Sequence, residues 1–390
     1  MKKILLISPQ PFFQWRGSPI RVGFNLLALT QLGYEVDLLT LPIGEKREIE
    51  GARIIRVANP LCIKNVPIGP SVPKLFFDLL ILFKGVSLCL NHRYDVIHGI
   101  EEAGIIAVLL AKLFGKKVIF EKHSDPSSYK KGALRNAIMK VYSLVEWTAV
   151  RFANAVIGTG AGLVRQVENM GTGTRAFHIF DIPSSLTAPA RSEVERLRKE
   201  LKEQTDEILI TFVGSFAVYQ GVDLLFASIP HVVFHFPQVR FLIIGGSKSE
   251  IIERKAALSK DGIAEKVSFL GKVAPDLLPN YLAASDILLS PRISGVNTPL
   301  KILDYLKVGR AILATDVESN RLLVDDKTAV LVAPDPVAFA KGIATLVKNQ
   351  DKRETIGIAG RHLYETRYTF QQYRKRLAYC YEYVLGVCRS

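Results

Sequence analysis

SPRISGVNTPLKILDYLKVGR, residues 290–310, changes character twice within one short segment. An apolar run, Asp286–Leu289, leads into it and predicts a strand. A polar turn around Gly295–Pro299 follows, and then helical spacing through Leu300, Leu303 and Leu306. Strand, polar loop and helix in that order predict a place where phosphate is held, because the first amides of a helix have no internal partners. The loop carries no run of glycines and no P-loop lysine–serine pair, so the cradling is left to the helix-start amides.

The same alternation runs along the whole chain. Short Val/Ile/Leu runs predict strands at 3–7, 36–40, 53–57, 96–98, 117–121, 155–158 and 176–180 in the first half. In the second they predict strands at 208–213, 241–244, 267–270, 287–289, 311–314 and 329–332. Helical patterns separate most of them, at 21–32, 74–90, 103–114, 134–152, 162–170, 192–204, 223–235, 251–258, 277–284 and 300–308, and 368–385 ends the chain. Continuously apolar strands alternating with helices predict parallel sheets buried on both faces. The segment DIPSSLTAPA, residues 181–190, holds two prolines among small polar residues and is the best linker. An α/β protein of two doubly wound domains is therefore expected, divided as 1–183 and 184–366, with a final helix in 367–390.

Composition narrows the partners. The net charge is +14, and Met1–Ser185 holds 23 basic against 14 acidic residues, so most of the surplus lies in the first half. A basic half predicts an acidic partner such as phosphate or anionic lipid. No nucleic-acid-binding module is recognisable, and none is expected. The start MKKILLISPQP has an apolar run of only four residues, too short for an export signal, and Leu75–Leu90 is too short and interrupted by Asp78 and Lys84 to span a bilayer. The cysteines Cys62, Cys89, Cys380 and Cys388 lack paired spacing, which predicts reduced thiols and a cytoplasmic location. His231 and His235 lack a third ligand nearby, so no metal site is expected.

Ligands of such sheets bind beyond the carboxyl ends of strands. The first strand exits toward Arg16, Gly17, Ser18 and Arg21, where a helix start and two cations could take an anionic group. The strand at 117–121 exits into Lys122 and His123, and a histidine there can exchange protons with sugar hydroxyls. In the second half the exits are Gly214 and Ser215, leading to Gln220 and Gly221, then Gly245–Lys248, and last the segment quoted above.

Together these positions resemble the family 4 retaining glycosyltransferases (glycosyl transferases group 1). The resemblance is carried by RGSPIRV with LTQLGYEVDLLT, by YDVIHG, the strand–His123 junction, FVGSFAVYQGVDLL and PQVRFLIIGG. SPRISGVNTPLKILDYLKVGRAILATD and TAVLVAPDP extend it over nearly the whole chain. It implies the GT-B fold, two Rossmann-like domains facing across a cleft, with the final helix crossing back to the first. It also implies metal-independent transfer of a sugar from a nucleotide-diphosphate-sugar co-substrate, base unknown, to a glycan or lipid-linked acceptor. Catalysis then falls to His123. Donor binding falls to Gly214, Ser215, Gln220, Arg292, Ser294, Gly295, Asn297, Thr298, Pro299, Leu300, Lys301 and Asp304. The acceptor or a phosphate is left to Arg16, Gly17, Ser18 and Arg21.

Three departures qualify the resemblance. The family's Arg and Lys beside its donor glycines are here Ser215 and Gln220, a loss of roughly 1.5–3 kcal/mol per charged contact. Arg292, Lys301 or Lys248 are expected to replace them. The family's second glutamate, which holds the ribose, corresponds to Asp304. The first has no acidic counterpart, since its place falls on Val296 by spacing or Ser294 by wording. The basic cluster Tyr129–Arg135 with Lys140, beside the apolar helix 75–90, predicts peripheral contact with an anionic membrane, at the inner face of the cell membrane, as suits cell-envelope polysaccharide or glycolipid synthesis. The alternative reading is a catalytically silent, sugar- or nucleotide-binding scaffold within a glycan-assembly complex.

Overall fold

The computed structural model describes residues 1–14, 17–66, 71–124, 133–204, 206–295 and 298–387. The chain separates into two compact units, Met1–Asp181 with Gln371–Ser390, and Ile182–Phe370. Each is a parallel sheet interleaved with helices.

The first unit contains strands β1 (Lys3–Ser8), β2 (Glu35–Thr40), β3 (Ala52–Arg56), β4 (Val96–Ile100), β5 (Lys117–Lys122), β6 (Ala155–Gly158) and β7 (Ala176–His178). They lie in the order β3-β2-β1-β4-β5-β6-β7, every described pairing parallel. Its helices are α1 (Gly17–Gln31), α2 (Val72–Asn91), α3 (Ala103–Phe114), α4 (Ala133–Phe152) and α5 (Ala161–Asn169). The second unit holds α6 (Arg191–Leu201), α7 (Val222–His235), α8 (Lys248–Lys260), α9 (Leu278–Ala284), α10 (Leu300–Val308), α11 (Glu318–Arg321), α12 (Pro336–Lys348) and α13 (Gln350–Arg367). Its strands, β8 (Ile208–Val213), β9 (Val239–Ile244), β10 (Val267–Gly271), β11 (Ile287–Ser290), β12 (Ala311–Thr315) and β13 (Val330–Val332), are ordered β10-β9-β8-β11-β12-β13. Strand order reverses between β1 and β4 in one sheet and between β8 and β11 in the other. Such switch points open a crevice at the strand ends, since the connections leave to opposite sides.

The strands form where buried aliphatic runs leave no polar face: β4 and β9 are buried at every residue. The helix α14 (Phe370–Leu385) packs in the first unit although it ends the chain. Its buried face, Tyr373, Leu377, Cys380, Tyr381 and Val384, follows helical spacing. The expected strands and helices recur with ends moved by a few residues. α1 starts at Gly17, four residues before the expected start, and α8 at Lys248, where Ser247 and Glu250 form a capping box. The helices α12 and α13 were not foreseen, because TAVLVAPDP drew the reading of that region. Both carry capping signals that were there to be read, Asp335 accepting from the Ala338 amide and Asn349 from the Lys352 amide. Among the described residues, no helix is long and apolar enough to cross a membrane.

Candidate functional site

In the second unit, the loops leaving β8 and β11 flank the switch point and are tied together. Ile293 donates its amide to the Tyr219 carbonyl (3.1 Å). Gly221, at φ +70°, passes so close to Pro291 that a Cβ there would lie 1.8 Å from the Pro291 carbonyl oxygen. Only glycine permits both the backbone and the approach. Behind them the Thr315 hydroxyl bonds the Arg292 carbonyl, and Asn320 Nδ2 donates to the Thr315 carbonyl (2.8 Å).

This frame brings Gly214, Gln220 and Lys301 together. Lys301, in the first turn of α10, reaches back so that its Nζ lies 4.2 Å from the centre of the Phe212 ring. A Cβ on Gly214 would stand 2.8 Å from that Nζ and 3.5 Å from Gln220 Oε1, so glycine is what lets the two side chains close over the backbone here. Both the ammonium nitrogen and the amide oxygen are shielded from solvent and have no hydrogen-bond partner among the described residues. Burial, reinforced by the nearby Arg292 charge, pushes the Lys301 amine down to about 7. Arg292 is 6% exposed and lies 5.3 Å over the Tyr219 ring, with Nε donating to the Ser294 carbonyl (2.8 Å). Its own pKa is lowered by burial. Gly295, at φ +103°, lets the loop turn around this guanidinium. The two cations are near enough for the Arg292 charge to act on Lys301, and neither forms an ion pair with a carboxylate among the described residues. Such an arrangement is costly until an anion enters.

The other expected donor residues fall nearby with less to offer. Ser215 and Ser294 are exposed, Thr298 is half-buried, Pro299 precedes α10 and Leu300 opens it. Asn297, with Val296, lies outside the described residues. Asp304 departs from the expectation of an open carboxylate awaiting a ribose. It is 8% exposed and accepts from the Ser184 amide (2.7 Å) and from the Ser184 hydroxyl at both oxygens (3.0 and 2.9 Å). Burial, against those bonds and the Lys307 charge, raises its carboxyl to about 6. Lys307 donates to the carbonyls of Ser185 (2.6 Å) and Thr187 (2.7 Å). One turn of α10 therefore straps down the segment that precedes α6.

In the first unit His123 follows β5 directly, and its ring bridges two elements. Nδ1 lies 3.0 Å from Ser18 Oγ on α1 and Nε2 lies 2.8 Å from Glu121 Oε1. The backbone amide of His123 donates to Glu101 Oε1 (2.8 Å) and the Ser124 hydroxyl donates to Glu101 Oε2 (3.1 Å). Glu101 holds φ +53°, and burial pushes its carboxyl up to about 7. Gly17 is exposed at the first position of α1, and Arg16 lies outside the described residues. Arg21 does not present a free charge to an anion, which corrects the expectation for it. It is 4% exposed, pairs with Glu121, and donates Nη1 to Asp181 (2.9 Å) and to the Phe180 carbonyl (3.2 Å), leaving only Nη2 without a partner. The carboxylates Glu101 and Glu121 escaped the sequence reading. Their signal was a charged residue closing an apolar strand, in VIHGIEE and KVIFEKH. Among the described residues, no group of three or more His, Cys, Asp or Glu is arranged to hold a metal ion.

Residues 26–179 match the family described as Glycosyltransferase Family 4, and residues 207–349 match Glycosyl transferases group 1. The chain belongs to these glycosyltransferases. Over its whole length this glycosyltransferase superposes on the sucrose-phosphate synthase of Thermosynechococcus elongatus, TM-score 0.82, at 20% identity and full coverage of both chains. The fold is accordingly GT-B. A phosphatidylinositol N-acetylglucosaminyltransferase subunit of Arabidopsis thaliana is 22% identical over 346 residues, 87% of this chain and 73% of that one. The phosphatidyl-myo-inositol mannosyltransferase of Mycobacterium tuberculosis (strain CDC 1551 / Oshkosh) is 26% identical over 173 residues, 43% of this chain and 44% of its own length.

Proposed function

We propose that this glycosyltransferase moves a sugar, with retention and without a metal ion, from a nucleotide-diphosphate-sugar to a glycan or lipid-linked acceptor in cell-envelope polysaccharide or glycolipid synthesis. One observation carries the reading: the buried ammonium of Lys301, without a partner among the described residues, with the Arg292 charge near it, against Gly214 at the exit of β8. Sugar departure leaves charge on the diphosphate, and cations fixed beforehand in a dry site stabilise that charge without reorganising. Lys301 and Arg292 stand in for the family's Arg and Lys, which Ser215 and Gln220 replace. Asp304 would take ribose hydroxyls only by releasing the Ser184 hydroxyl, an exchange rather than the filling of an open site. His123 serves the acceptor side.

The lipid-linked acceptor and peripheral membrane contact are supported by the exposed face of α2, α3 and α4. Leu75, Leu79, Phe83 and Leu90 project from α2, Leu109 and Leu113 from α3, and Leu144 and Trp147 from α4, all at least 41% exposed. Lys84, Lys112, Lys140 and Arg151 are exposed among them, and no exposed acid occurs among the described residues of these helices. An apolar face with a purely basic rim suits an anionic bilayer surface.

The donor reading is tested with a thermal-shift panel of UDP-, GDP- and ADP-sugars on the wild type and on Lys301→Met. One nucleotide-sugar should stabilise the wild type. The variant should melt higher when empty, because a buried unpaired charge is gone, yet bind that donor roughly 10–150-fold more weakly. A variant that binds the donor as tightly as the wild type sinks the assignment. Release of free sugar or transfer from the stabilising donor, absent in the variant, separates an enzyme from a silent scaffold.

A further inference from the structure

Glu121, 0% exposed, closes β5 as a buried charge met from several sides. Four N–H groups face its two oxygens. Arg21 Nε and His123 Nε2 (2.8 Å) address Oε1. Asn25 Nδ2 addresses Oε2 at 2.8 Å, and His98 Nε2 lies 3.0 Å from Oε2, off the line of a straight hydrogen bond. A carboxylate has about four lone-pair sites, and three of them here take hydrogen bonds while His98 Nε2 stands against the fourth. Burial alone would raise its pKa. The Arg21 charge, the His123 bond and the nearby His98 ring overcome that and hold the carboxyl well below its ordinary range.

Ionised, Glu121 can only accept, and that fixes the direction of every bond around it. Asn25 turns its Nδ2 inward, so its Oδ1 accepts from the Tyr373 hydroxyl (2.6 Å) of α14. His98 turns Nε2–H inward, so in the neutral ring Nδ1 accepts from the Tyr381 hydroxyl (2.8 Å), again of α14. By the same rule His123 carries its proton on Nε2. Its Nδ1 then holds a lone pair aimed at the Ser18 hydroxyl, 3.0 Å away. The second nitrogen of a histidine is set by what the first one bonds.

We infer that Glu121 is the positioning residue of the His123 site: it fixes the ring as the Nε2–H form and presents Nδ1 as the atom that accepts a substrate hydroxyl, the Ser18 hydroxyl holding that place meanwhile. The role of the substrate hydroxyl rests on the transferase reading above, whereas the proton position does not. Helix α14 enters through Tyr373 and Tyr381, which anchor Asn25 and His98 and so keep the carboxylate in place. A Ser18–His123–Glu121 line of this kind need not make Ser18 a nucleophile. The Glu121 charge is already met by Arg21, which leaves less of it to stabilise an imidazolium.

The test is a long-range proton–nitrogen spectrum of the full chain labelled with ¹⁵N-histidine, at a pH where the ring is neutral, with His123 assigned by its loss in His123→Gln. The expected result is a protected, downfield Nε2–H on His123 and a bare Nδ1. Ser18→Ala should leave that pattern unchanged, and Glu121→Gln, if it melts cooperatively, should bring a measurable share of Nδ1–H. An Nδ1–H ring in the wild type, a switch of form in Ser18→Ala, or an unchanged pure Nε2–H ring in folded Glu121→Gln overturns the inference. Should Glu121→Gln fail to fold, the wild type and Ser18→Ala still decide. None of these outcomes depends on a donor, so a failed transferase reading would show in the thermal-shift panel and not here.

Discussion

At the residue scale, two buried charges are treated in opposite ways. Glu121 takes three hydrogen bonds, from Arg21, Asn25 and His123. Lys301 takes part in none among the described residues. A buried ammonium without a counterion costs stability, and proteins keep such features where a ligand completes them. Its pKa of about 7 lies below the ordinary lysine value, so the folded protein binds fewer protons than the unfolded chain between about pH 7 and 10.5. Stability from this group therefore rises with pH across that window. Donor binding has the opposite sign, because the diphosphate needs the charged form. With UDP-glucose, whose diphosphate charge is fixed over this range, affinity should fall by up to tenfold per pH unit above about pH 7 if UDP is the base selected, or with the matching sugar nucleotide otherwise. Titration calorimetry from pH 6.5 to 9 checks it. The slope should vanish in Lys301→Met, and an equal slope in both proteins would move the linkage to another group. Ser215 and Gln220 announced in the sequence that the usual cations were missing. That Lys301, eighty residues further on, reaches Gly214 was not legible, because it depends on β8 lying beside β11.

At the element scale, the turn after β8 fixes the site more than any helix does. Gly221 joins the short turn Val218–Gln220 to α7 and lies against the Pro291 carbonyl. Gly221→Ala should destabilise the protein by about 2–3 kcal/mol, combining the left-handed backbone with an overlap that forces the β11 loop away. Chemical denaturation measures this, and a change under 1 kcal/mol would mean that the two loops are not locked together. Apolar periodicity made the strands and most helices legible, whereas α12 and α13 were passed over although their caps are local signals. Asp304 is a different case. Its place in α10 was readable, but its bonding to Ser184 was not, since Ser184 precedes α6 by several residues and meets α10 only when the unit has folded.

At the scale of the whole molecule, charge and exposed surface agree. The basic surplus of the first half was expected to centre on Tyr129–Arg135, most of which lies outside the described residues. The structure adds a broad apolar face on α2, α3 and α4 with a basic rim. Sedimentation with vesicles should show binding to phosphatidylglycerol-containing bilayers that weakens with salt, and little to pure phosphatidylcholine. Each basic residue at the surface contributes about 1 kcal/mol. Phe83→Glu with Leu144→Glu should remove the binding at constant salt without changing the donor-induced thermal shift. Equal binding of the double variant would assign the face to a protein partner or to a second copy of the chain.

The sequence by itself determined the two-sheet α/β architecture and where its strands end, because burial periodicity and turn residues are local. It also showed that His123 and Lys301 stand at such exits. Only the tertiary structure decided what each side chain meets there: Arg21 spent on Glu121 and Asp181, Asp304 on Ser184, the two tyrosines of α14 on the Glu121 network, and Lys301 on the face of Phe212 with no hydrogen bond among the described residues. Pairing of buried charges depends on contacts between residues far apart in the chain, and no local pattern encodes which of them will be left for a ligand.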